Sequence, residues 1–589
     1  MRIPPLGKYR LKPYLYAIEE CKDMQKRWAI TSCHNPLTSQ RHQMELGIHE
    51  VLANMLVSRG VSNFDEAKRF FRPALADLHD PFLMRDMDKA IARIEHAIGN
   101  NEKVLIYGDY DVDGTTAVAV VYSFFRQFHS RLEYYLPDRY AEGYGISIQG
   151  IDYAAAHGFS LIIALDCGIK SVDKVAYARE KNIDFIIGDH HLPGDQLPEA
   201  VAVLDPKRGD CPYPYKELSG CGIGFKMVQA FIQKNNMDIA QCYQYLDLVA
   251  VSIASDIVPI TGENRVLTHY GLQKLNTNPC CGLKSLIDLS NNRNSHFTVN
   301  DIVFQIGPRI NAAGRIDHAK DAVQLLTAKS LQDAAVYSSS IDVQNAQRKD
   351  FDLRITEEAL AIIDANEILK SRVTTVVFKP DWHKGVIGIV ASRLTEKYYR
   401  PTVVLTQTNG HVAGSARSVV GFDLYEALQE CSDLLDQFGG HKYAAGLTMK
   451  LENISSFQER FEEVVSGSIH PHQLQREIAL EAELSLSDIN GKFFRVLRQF
   501  EPFGPQNEAP MFLSRDVVAL GPAVVVGGNH LKMTVHQDES IRFECIGFGL
   551  GEYADIINTG KTFDICYTVD ENIWRDKRYL QLNLKDIRI

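Results

Sequence analysis

The chain has 589 residues, of which 45% are hydrophobic and 23% are charged, and its formal net charge is −11. A chain of this length exceeds what one hydrophobic core can organise, so several domains are expected. The negative charge argues against a protein that coats nucleic acid through many Lys and Arg contacts to phosphate. It does not exclude an enzyme that acts on nucleic acid, because cation-binding carboxylates add formal negative charge that the bound cations cancel.

Neither membrane insertion nor secretion is expected from the sequence. No stretch approaches the roughly 18 apolar residues that a membrane span needs. The N-terminal sequence lacks the apolar core and small-residue cleavage site of a secretory signal. The 11 cysteines include no CxxC pair, and most are predicted to be reduced and structural. We therefore predict a cytoplasmic protein.

The N-terminal part of the chain has a helical pattern. From about Val51 to Ile98, apolar residues recur at spacings of three and four. We predict an N-terminal helical extension over residues 1–75.

Apolar strands that each end in an aspartate follow this extension. VLIYG precedes Asp109, LIIAL precedes Asp166, FIIG precedes Asp189 and VAVL precedes Asp205. Continuous apolar strands that alternate with helices indicate a parallel sheet buried on both faces. Ligands of such sheets lie beyond the carboxyl ends of the strands. We predict an α/β catalytic domain with a parallel sheet over residues 76–325 and a site at this edge.

The rest of the chain predicts three further parts. A long polar helix over residues 326–365 is typical of a connector. A smaller α/β domain, with apolar strands such as TTVVF and PTVVL, is predicted over residues 366–467. Short strands separated by turn residues over 468–589 predict a small closed β-barrel of the OB-fold kind.

The first aspartate belongs to an acidic cluster, GDYDVDG. Asp109, Asp111 and Asp113 alternate at the end of the predicted strand. Several ionised carboxylates in a partly buried crevice repel one another unless divalent cations neutralise them. A calcium-binding loop would need a glutamate at the twelfth position, which is Val120. A solvated acidic turn remains the other alternative.

Further candidate ligands lie at the same predicted edge. His190 and His191 follow Asp189 directly, and Asp256 follows the apolar run LDLVAVSIAS. Each of these residues alone fits a capping or hydrogen-bonding role equally well. Together they supply enough oxygen and nitrogen atoms for two metal ions. Ligands without thiolate favour Mn²⁺ or Mg²⁺ over structural zinc, and two such ions indicate hydrolysis of a phosphoester.

Four segments, GDYDVDG, LDCG, GDHH and ASDIVP, resemble in this order the four motifs of the DHH phosphoesterase superfamily. The resemblance implies ligand sets of Asp109, Asp111 and Asp166 for one ion, and Asp113, Asp166, His190 and Asp256 for the other. It also implies a catalytic group made of His190, His191 and Asp189. In that group His191 faces the scissile phosphate and Asp189 orients its neighbours.

The downstream segments GSARS and GGHKYAAG resemble the DHH-associated domain, whose glycine-rich loop closes over the substrate. By this resemblance Ser415 and Arg417 contact the terminal phosphate of a strand, and a guanidinium can bind phosphate through two hydrogen bonds. The other implied substrate-binding residues are Gly439, Gly440, His441, His383, Arg309 and Arg315. For Arg309 and Arg315 a structural role in the linker is an equal alternative. His383 and His441 could equally be polar residues with satisfied hydrogen bonds.

GPRINAAGRI, WHKGVIGIVASRL, EPFGPQNEAPMF and LQLNLKDIRI resemble the RecJ family of exonucleases within this superfamily. The resemblance implies a 5′-to-3′ exonuclease that degrades single-stranded DNA in repair and recombination with two Mn²⁺ or Mg²⁺ ions. The expected partners are single-stranded DNA, a single-stranded-DNA-binding protein and a helicase, with no membrane. Two alternatives are a phosphodiesterase of short oligonucleotides or cyclic dinucleotides, and a noncatalytic DNA-binding scaffold.

Two details of the barrel region carry their own expectations. Barrel aromatics are predicted to stack on bases, and neighbouring cations to contact phosphates. The aromatic residues are Trp574, Tyr567 and Tyr579, and the cations are Arg575, Lys577 and Arg578. The sequence also has Gln506 in FGPQN where the family motif often has glycine, which puts the local turn in question.

Overall fold

The structure, a computed structural model, describes residues 26–32, 35–290, 296–408, 410–538, 541–574 and 577–589. The chain divides into two compact units. The N-terminal unit contains Asn35–Glu358 and Val496–Ala509. The C-terminal unit contains Ala359–Arg495, Pro510–Ile589 and the described residues before Asn35. Within the described ranges, no helix has both the length and the apolar character needed to span a bilayer.

The described chain begins with a strand and continues with helices. The strand is β1 (Arg27–Ile30), and the helices are α1 (Pro36–Leu46), α2 (Glu50–Ser58), α3 (Phe64–Phe71) and α4 (Met87–Gly99). Asn35 and Asn63 cap α1 and α3, because their side chains accept hydrogen bonds from backbone amides of the first turns. The helical prediction for about 51–98 is confirmed. The segment expected as a helical extension also contains a strand, β1.

A five-stranded parallel sheet is the centre of the N-terminal unit. Its strands are β2 (Val104–Gly108), β3 (Leu132–Tyr135), β4 (Leu161–Leu165), β5 (Asp184–Gly188) and β6 (Ala202–Leu204), in the order β3-β2-β4-β5-β6. The helices that alternate with them are α5 (Val112–Phe125), α6 (Ile148–Ala156) and α7 (Val172–Glu180). β2 and β4 are buried at every residue. The predicted parallel α/β fold is confirmed.

Helices complete the N-terminal unit after the sheet. They are α8 (Gly220–Lys234), α9 (Ala240–Tyr243), α10 (Leu246–Ser255), α11 (Gly262–Thr277), α12 (Cys281–Leu289), α13 (Val299–Asp301), α14 (Gly307–Ile316), α15 (Lys320–Leu326) and α16 (Leu331–Asp364). α16 has 34 residues and occupies most of the region predicted as the connecting helix; its last residues, from Ala359 on, belong to the C-terminal unit. α8 and α10 pack on α5, and Asp113 in the first turn of α5 accepts hydrogen bonds from Gly220 at the start of α8 and from Ser252 near the end of α10.

A short segment from late in the chain, Val496–Ala509, belongs to the N-terminal unit. The buried Arg265 donates hydrogen bonds to four carbonyl oxygens, those of Phe70, Gln499, Phe500 and Glu501, at 2.8–3.1 Å. Gln506 has a φ of 61°, in the left-handed region that glycine adopts most easily. This backbone conformation explains why the family motif often has glycine here. Gln506 adopts the same conformation, with more backbone strain than glycine would have.

The C-terminal unit contains a mixed five-stranded sheet. Its strands are β7 (Thr375–Phe378), β8 (Thr402–Thr408), β9 (His411–Arg417), β10 (Gln437–His441) and β11 (Ala444–Met449), in the order β10-β11-β9-β8-β7. The accompanying helices are α17 (Glu367–Ser371), α18 (Ile387–Tyr398), α19 (Leu424–Gln429) and α20 (Ile454–Ser468). Only β7 and β8 pair in parallel. The smaller α/β domain was thus predicted correctly in kind.

The remaining strands are β12 (Glu477–Leu480), β13 (Ala482–Glu483), β14 (Phe512–Ala519), β15 (Val524–Val526), β16 (His530–His536), β17 (Arg542–Gly547), β18 (Phe563–Trp574) and β19 (Lys577–Arg588), with helices α21 (Gly491–Leu497) and α22 (Ala554–Ile557). The strands from β13 to β19 form the predicted barrel, whereas β12 lies outside their sheet. Pairing of β14 with both β18 and β16 closes the seven-stranded sheet. β1 pairs in parallel with β12.

The barrel aromatics differ in their exposure. Tyr567 is fully buried, and its hydroxyl lies 2.8 Å from the Ser514 hydroxyl, so it cannot stack on a base as expected. Tyr579 is 51% exposed and remains available for stacking. The side chain of Trp574 and the whole of Arg575 lie outside the described residues. The prediction for Tyr567 was wrong because side chains alternate between the two faces of a strand, and the sequence alone does not show which face of β18 points inward.

We predict that Arg265→Met destabilises the packing of Val496–Ala509. The change leaves four buried carbonyl oxygens without this donor, which we expect to cost roughly 3 kcal/mol. Amide hydrogen exchange in residues 496–509 should therefore be roughly 100-fold faster in the variant.

The matched control is Arg179→Met, which removes an exposed pair with Glu199. Exposed pairs contribute at most about 1 kcal/mol, so exchange in 496–509 should not change. Equal exchange rates in wild type and Arg265→Met would show that the guanidinium does not hold this segment.

Candidate metal centre

Three predicted ligands lie where β2 ends and α5 begins. Asp109 directly follows β2, and Asp111 is the N-cap of α5, where it accepts a hydrogen bond from the Gly114 amide at 3.1 Å. Asp113 lies in the first turn of α5. A Cβ on residue 114 would come within 2.4 Å of the Asp109 carbonyl oxygen. Glycine therefore allows the helix to start directly against the strand end, which holds all three carboxylates at one edge of the sheet.

Asp166 follows the neighbouring strand β4 in an unusual backbone conformation. Its φ is 61°, a left-handed value that Asp and Asn tolerate better than most residues. Its amide donates to the Gly188 carbonyl oxygen at 2.8 Å. A Cβ on residue 220 would lie 2.5 Å from the Asp166 Cβ, so the start of α8 packs directly on this aspartate. The conformation points the carboxylate into the crevice at the strand ends.

His190 lies at the centre of the acidic cluster. Its Nε2 is 3.2 Å from Asp166 Oδ1, 3.5 Å from Asp256 Oδ2 and 3.7 Å from Asp113 Oδ2. Asp256 is the C-cap of α10, so residues from the ends of three different elements converge on one imidazole. Burial lowers the pKa of His190 below its ordinary value. A neutral imidazole is the form that binds metal ions.

Asp189 and His191 form a hydrogen-bonded pair beside this cluster. Asp189 Oδ1 lies 2.7 Å from His191 Nδ1 and accepts hydrogen bonds from the His190 and His191 amides. Asp189 Oδ2 accepts one from the Ile169 amide at 2.9 Å. The Tyr144 hydroxyl lies 3.1 Å from His191 Nε2. Both oxygens of Asp189 thus hold the loop that carries the two histidines.

The electrostatics of the cluster call for a cation. Burial, followed by the charge of Asp111, raises the pKa of Asp109 well above its ordinary value. Burial, followed by the charges of Asp113 and Asp111, has the same effect on the pKa of Asp166. The pKa of Asp256 is raised to about 9 by burial and by Asp113 and Asp111. At neutral pH such carboxyls either keep a proton or need a positive ion nearby.

Several buried polar atoms of the cluster are free to bind such an ion. Both oxygens of Asp109, Oδ1 of Asp166 and both ring nitrogens of His190 have no hydrogen-bond partner among the described residues. The backbone amides of Tyr110 and Gly145 lie near the Asp109 carboxyl and lower its pKa somewhat, but neither makes a well-formed hydrogen bond with it. Buried polar atoms are rarely left unsatisfied, so unpaired ligand-type atoms in one crevice fit a metal site.

Two groups of side chains have ligand atoms within 4.8 Å of one another, Asp113 with His190 and Asp256, and Asp166 with His190 and His191. Neither group includes Asp109 or Asp111. Oxygen and imidazole ligands without thiolate suit Mn²⁺ or Mg²⁺. The adjacent Cys167 is buried, which raises the pKa of its thiol and disfavours the thiolate form that binds metal. The residues present therefore fit hard divalent cations.

Most of the predicted phosphate-binding residues of the C-terminal unit lie in two rows of its sheet, which are separated by the row of Ala416, Ala445 and Gly440. One row joins Ser415 of β9 to Gly446 of β11 and Gly439 of β10, and the other joins Arg417, Ala444 and His441. The Arg417 guanidinium donates to the Ser415 hydroxyl at 3.1 Å. Gly440 has a φ of 149°, and a Cβ there would lie 2.3 Å from the Ala444 carbonyl oxygen.

His383 precedes α18, and its Nδ1 accepts a hydrogen bond from the Gly385 amide at 3.2 Å. α18 begins close to the two rows, because a Cβ on Gly388 would lie 3.0 Å from Ser415 Oγ. Ser392 of the same helix accepts a hydrogen bond from Arg417 Nε at 3.2 Å. The structure thus brings Ser415 and Arg417 together with the start of α18.

The two arginines predicted from GPRINAAGRI lie on α14 in the N-terminal unit. Arg309 forms an ion pair with Asp342 at 3.1 Å and donates to the Gln305 carbonyl oxygen at 2.7 Å. These contacts support the structural alternative for Arg309. Arg315 follows Gly314, where a Cβ would lie 2.8 Å from the Tyr110 carbonyl oxygen, so this part of α14 packs closely on Tyr110. Tyr110 lies between two of the predicted ligands, so Arg315 belongs to the surroundings of the cluster.

Several residues that contact the cluster were not predicted from the sequence. Tyr144 contacts His191, Ser252 donates to Asp113 at 2.6 Å, and Gly220 packs on Asp166. Gly220 begins the GCGIG segment, where small residues at a helix start indicate close approach of another backbone. No comparable signal exists for Ser252, because one serine in an apolar helix is common.

Family comparisons cover most of the described chain. The model of the DHH family, N-terminal domain, matches residues 103–253. The DHHA1 domain matches residues 370–467, and the RecJ OB domain matches residues 480–586.

Individual relatives extend this agreement. The chain is 36% identical over 557 residues to the single-stranded-DNA-specific exonuclease RecJ of Bacillus subtilis, covering 94% of this chain and 69% of the relative. The crystal structure of RecJ from Thermus thermophilus in complex with Mn²⁺ superposes with a TM-score of 0.82 at 25% identity, covering 96% of this chain and 79% of that one. Its complex with Mg²⁺ gives a TM-score of 0.76, also at 25% identity, with 96% and 78% covered. Because sequence and fold agree over nearly the whole chain, it belongs to the RecJ family of DHH proteins.

Proposed function

We propose that this chain is a metal-dependent exonuclease that hydrolyses the phosphodiester bonds of single-stranded DNA. The observation that carries the proposal is the buried crevice of aspartates around His190, with its unpaired ligand-type atoms. It occurs in a chain 36% identical to an enzyme named for this activity. The C-terminal barrel, matched by the RecJ OB domain, supports a polymeric substrate over a dinucleotide, because a short substrate needs no extended track.

The proposed cofactors are two Mn²⁺ or Mg²⁺ ions. The proposed ligands are Asp109, Asp111 and Asp166 for one ion and Asp113, Asp166, His190 and Asp256 for the other, with Asp166 shared. When bound, the ions supply Lewis-acid stabilisation of a phosphoryl oxygen and a nucleophile at neutral pH. The place of Asp166 in the second set is supported by its Oδ1, which lies 3.2 Å from His190 Nε2 and has no hydrogen-bond partner among the described residues.

His191 is proposed to face the scissile phosphate. The Asp189 carboxylate holds His191 through Nδ1, which fixes the orientation of the ring and leaves Nε2 directed away from Asp189. Nε2 then meets the hydroxyl of Tyr144, an exposed residue. Burial disfavours a charge on His191, but the Asp189 carboxylate outweighs this effect and raises the pKa of His191 to about 9, so both ring nitrogens carry a proton at neutral pH. A phosphate oxygen that replaces the Tyr144 hydroxyl would then receive a hydrogen bond from Nε2. Asp189 acts through His191 and is a positioning residue in this scheme.

The remaining predicted residues are proposed to bind the strand. Ser415 and Arg417 bind its terminal phosphate, and Gly439, Gly440, His441 and His383 line the path of the substrate. Arg315 is proposed to contact the DNA backbone from the N-terminal unit, whereas for Arg309 the ion pair with Asp342 favours the structural alternative. The resemblance to the RecJ family supports degradation in the 5′-to-3′ direction. In that case the phosphate bound by Ser415 and Arg417 is the 5′-terminal one.

The same resemblance supports the wider role. We propose action in DNA repair and recombination in the cytoplasm, together with a single-stranded-DNA-binding protein and a helicase. The proposed domains are residues 1–75, 76–325, 326–365, 366–467 and 468–589, with two exceptions: β1 belongs to the C-terminal unit and residues 496–509 belong to the N-terminal unit.

We expect the purified chain with Mn²⁺ to convert a single strand with a 5′ phosphate into mononucleotides, starting at that end. A duplex of the same sequence should be degraded at least about tenfold more slowly. The assay compares 5′-labelled and 3′-labelled strands, blunt duplex and a cyclic dinucleotide. Preference for the duplex would contradict the proposal, and hydrolysis of only the cyclic dinucleotide would favour the short-substrate phosphodiesterase.

The nuclease activity of Asp166→Asn should be more than about 100-fold lower than that of wild type. Loss of a residue that only orients a metal ligand already lowers activity by up to about 100-fold, and Asp166 is a proposed ligand itself. Asn suits the left-handed backbone at this position. Without metal, the variant should be more stable than wild type at pH 7 by about 1 kcal/mol or more, measured by thermal unfolding with a chelator.

The pH dependence of that stability gain has a definite sign. The pKa of Asp166 is raised by burial and by Asp113, so the folded state disfavours its charge. The penalty is absent below the unfolded pKa of about 4 and grows as pH rises above it. The gain should thus shrink towards pH 4. Asp173→Asn, at an exposed position in α7, is the control and should change neither property. A gain that is the same at both pH values would refute the electrostatic explanation.

Binding of Mn²⁺ to the metal-free protein should release protons and weaken at low pH. The pKa of Asp256 is raised to about 9, so its carboxyl is protonated at neutral pH and must lose the proton to bind. We expect affinity to fall up to about tenfold per pH unit for each released proton. Calorimetry at pH 7 in two buffers of different ionisation enthalpy measures the release, which should be smaller in Asp256→Asn. A heat of binding independent of the buffer would rule out proton release.

A further inference from the structure

Asp113 differs from the other aspartates of the cluster in how completely it is held. Its side chain is fully buried and accepts three hydrogen bonds. The donors are the Gly220 amide to Oδ2 at 2.7 Å, and the Cys221 amide at 2.8 Å and the Ser252 hydroxyl at 2.6 Å, both to Oδ1. Asp109 accepts none, and Oδ1 of Asp166 has no partner among the residues described. One carboxylate is therefore fixed before any ion binds.

Two of the three donors come from the start of α8. The first amides of an α-helix have no partner within the helix, and its N-terminus favours a negative charge. Ser219 is the N-cap, and its hydroxyl accepts a hydrogen bond from the Gly222 amide at 3.0 Å. The amides of Gly220 and Cys221 are left for the Asp113 carboxylate. The third donor, Ser252, comes from α10, a different helix.

The hydroxyl protons of Ser219 and Ser252 have one arrangement that satisfies every group. The two hydroxyl oxygens are 2.6 Å apart, and both serines are fully buried. An ionised carboxylate only accepts hydrogen bonds, so Ser252 must give its single proton to Asp113. Ser219 then gives its proton to Ser252. The resulting chain runs in one direction, from the Gly222 amide through Ser219 and Ser252 to Asp113.

This arrangement restricts how Asp113 can bind a metal ion. Each carboxylate oxygen has about two acceptor positions. Both positions of Oδ1 are occupied by Cys221 and Ser252, whereas Oδ2 has one position left. Oδ2 is also the oxygen that lies 3.7 Å from His190 Nε2, on the side of the proposed ion. The hydrogen bonds therefore leave one oxygen of Asp113 for coordination.

We propose that Ser252 is a positioning residue for the metal centre, which holds Asp113 as a ligand through Oδ2 alone and thereby sets the affinity of the second ion. The proposal rests on the metal-dependent function proposed above. Ser252 touches neither substrate nor ion in this scheme. It acts by keeping the carboxylate from rotating, so that Oδ2 stays aligned with His190 and Asp256 when an ion arrives.

The test is a Mn²⁺ titration of the full chain without DNA, followed by electron paramagnetic resonance of the free ion. Wild type should bind two ions. In Ser252→Ala, one of the two affinities should fall about 10- to 100-fold, the range for groups that orient metal ligands, and the other should stay within about twofold. In nuclease assays, kcat at low Mn²⁺ should fall and recover as Mn²⁺ is raised, while KM for DNA stays unchanged.

Two further variants separate a positioning role from general damage. Ser255→Ala is a matched control on the same helix, because the Ser255 hydroxyl is buried and has no hydrogen-bond partner among the described residues; both affinities should match those of wild type. Ser219→Ala removes the hydroxyl behind Ser252 together with the N-cap of α8 but leaves the Ser252 hydroxyl on Asp113, so one affinity should fall by about two- to tenfold, less than in Ser252→Ala. Thermal unfolding shows whether each variant is folded. If Ser252→Ala does not fold, Ser219→Ala carries the test.

The outcomes distinguish this inference from the proposed function. Failure of wild type to bind Mn²⁺ would overturn the metal-dependent function itself. If wild type binds two ions and Ser252→Ala binds both equally tightly, only the positioning role is overturned. Equal losses in Ser252→Ala and Ser255→Ala would also overturn it, since the effect would then not depend on the hydrogen bond to Asp113.

Discussion

The N-terminal unit is organised around an electrostatic conflict at the carboxyl edge of its parallel sheet. Asp109, Asp113 and Asp166 are almost completely buried within one crevice. Burial and the charges of neighbouring aspartates both oppose the ionisation of Asp109 and Asp166, and a divalent cation removes both penalties at once. A fold selected for stability alone would not collect these groups. The arrangement is explained by the ions that it can bind, and the positions of the surrounding helices follow from it.

The crevice exists because glycines let backbone segments approach one another closely. Gly114 brings the start of α5 against Asp109, and Gly220 brings the start of α8 against Asp166. α8 then has two effects, because its first amides also hold Asp113. The helix N-terminus stabilises one carboxylate as an anion, while another, Asp166, keeps an oxygen free. Asp113 is therefore held in place by hydrogen bonds, whereas Asp166 has an oxygen free to bind a metal ion.

The two compact units are interleaved along the chain. Residues 496–509 return to the N-terminal unit between parts of the C-terminal unit, and β1 pairs with β12 although α1 belongs to the N-terminal unit. Arg265 replaces water for the carbonyl oxygens of the returning segment. Removal of the barrel by truncation after Gly467 would therefore also take away part of the N-terminal unit. Substitutions are a cleaner way to separate the contributions of the two units.

The parallel sheet, the long helix, the barrel and the acidic ligand types could be predicted from the sequence alone. A continuous apolar run that ends in aspartate indicates a buried strand whatever its neighbours are, and the GDYDVDG and GDHH motifs each lie within a few consecutive residues. Tertiary structure decided the rest. It determined that Tyr567 points inward, that Arg309 pairs with Asp342, and that Tyr144 and Ser252 reach His191 and Asp113. These facts depend on which face of a strand or helix meets a distant element, and no local pattern encodes that choice.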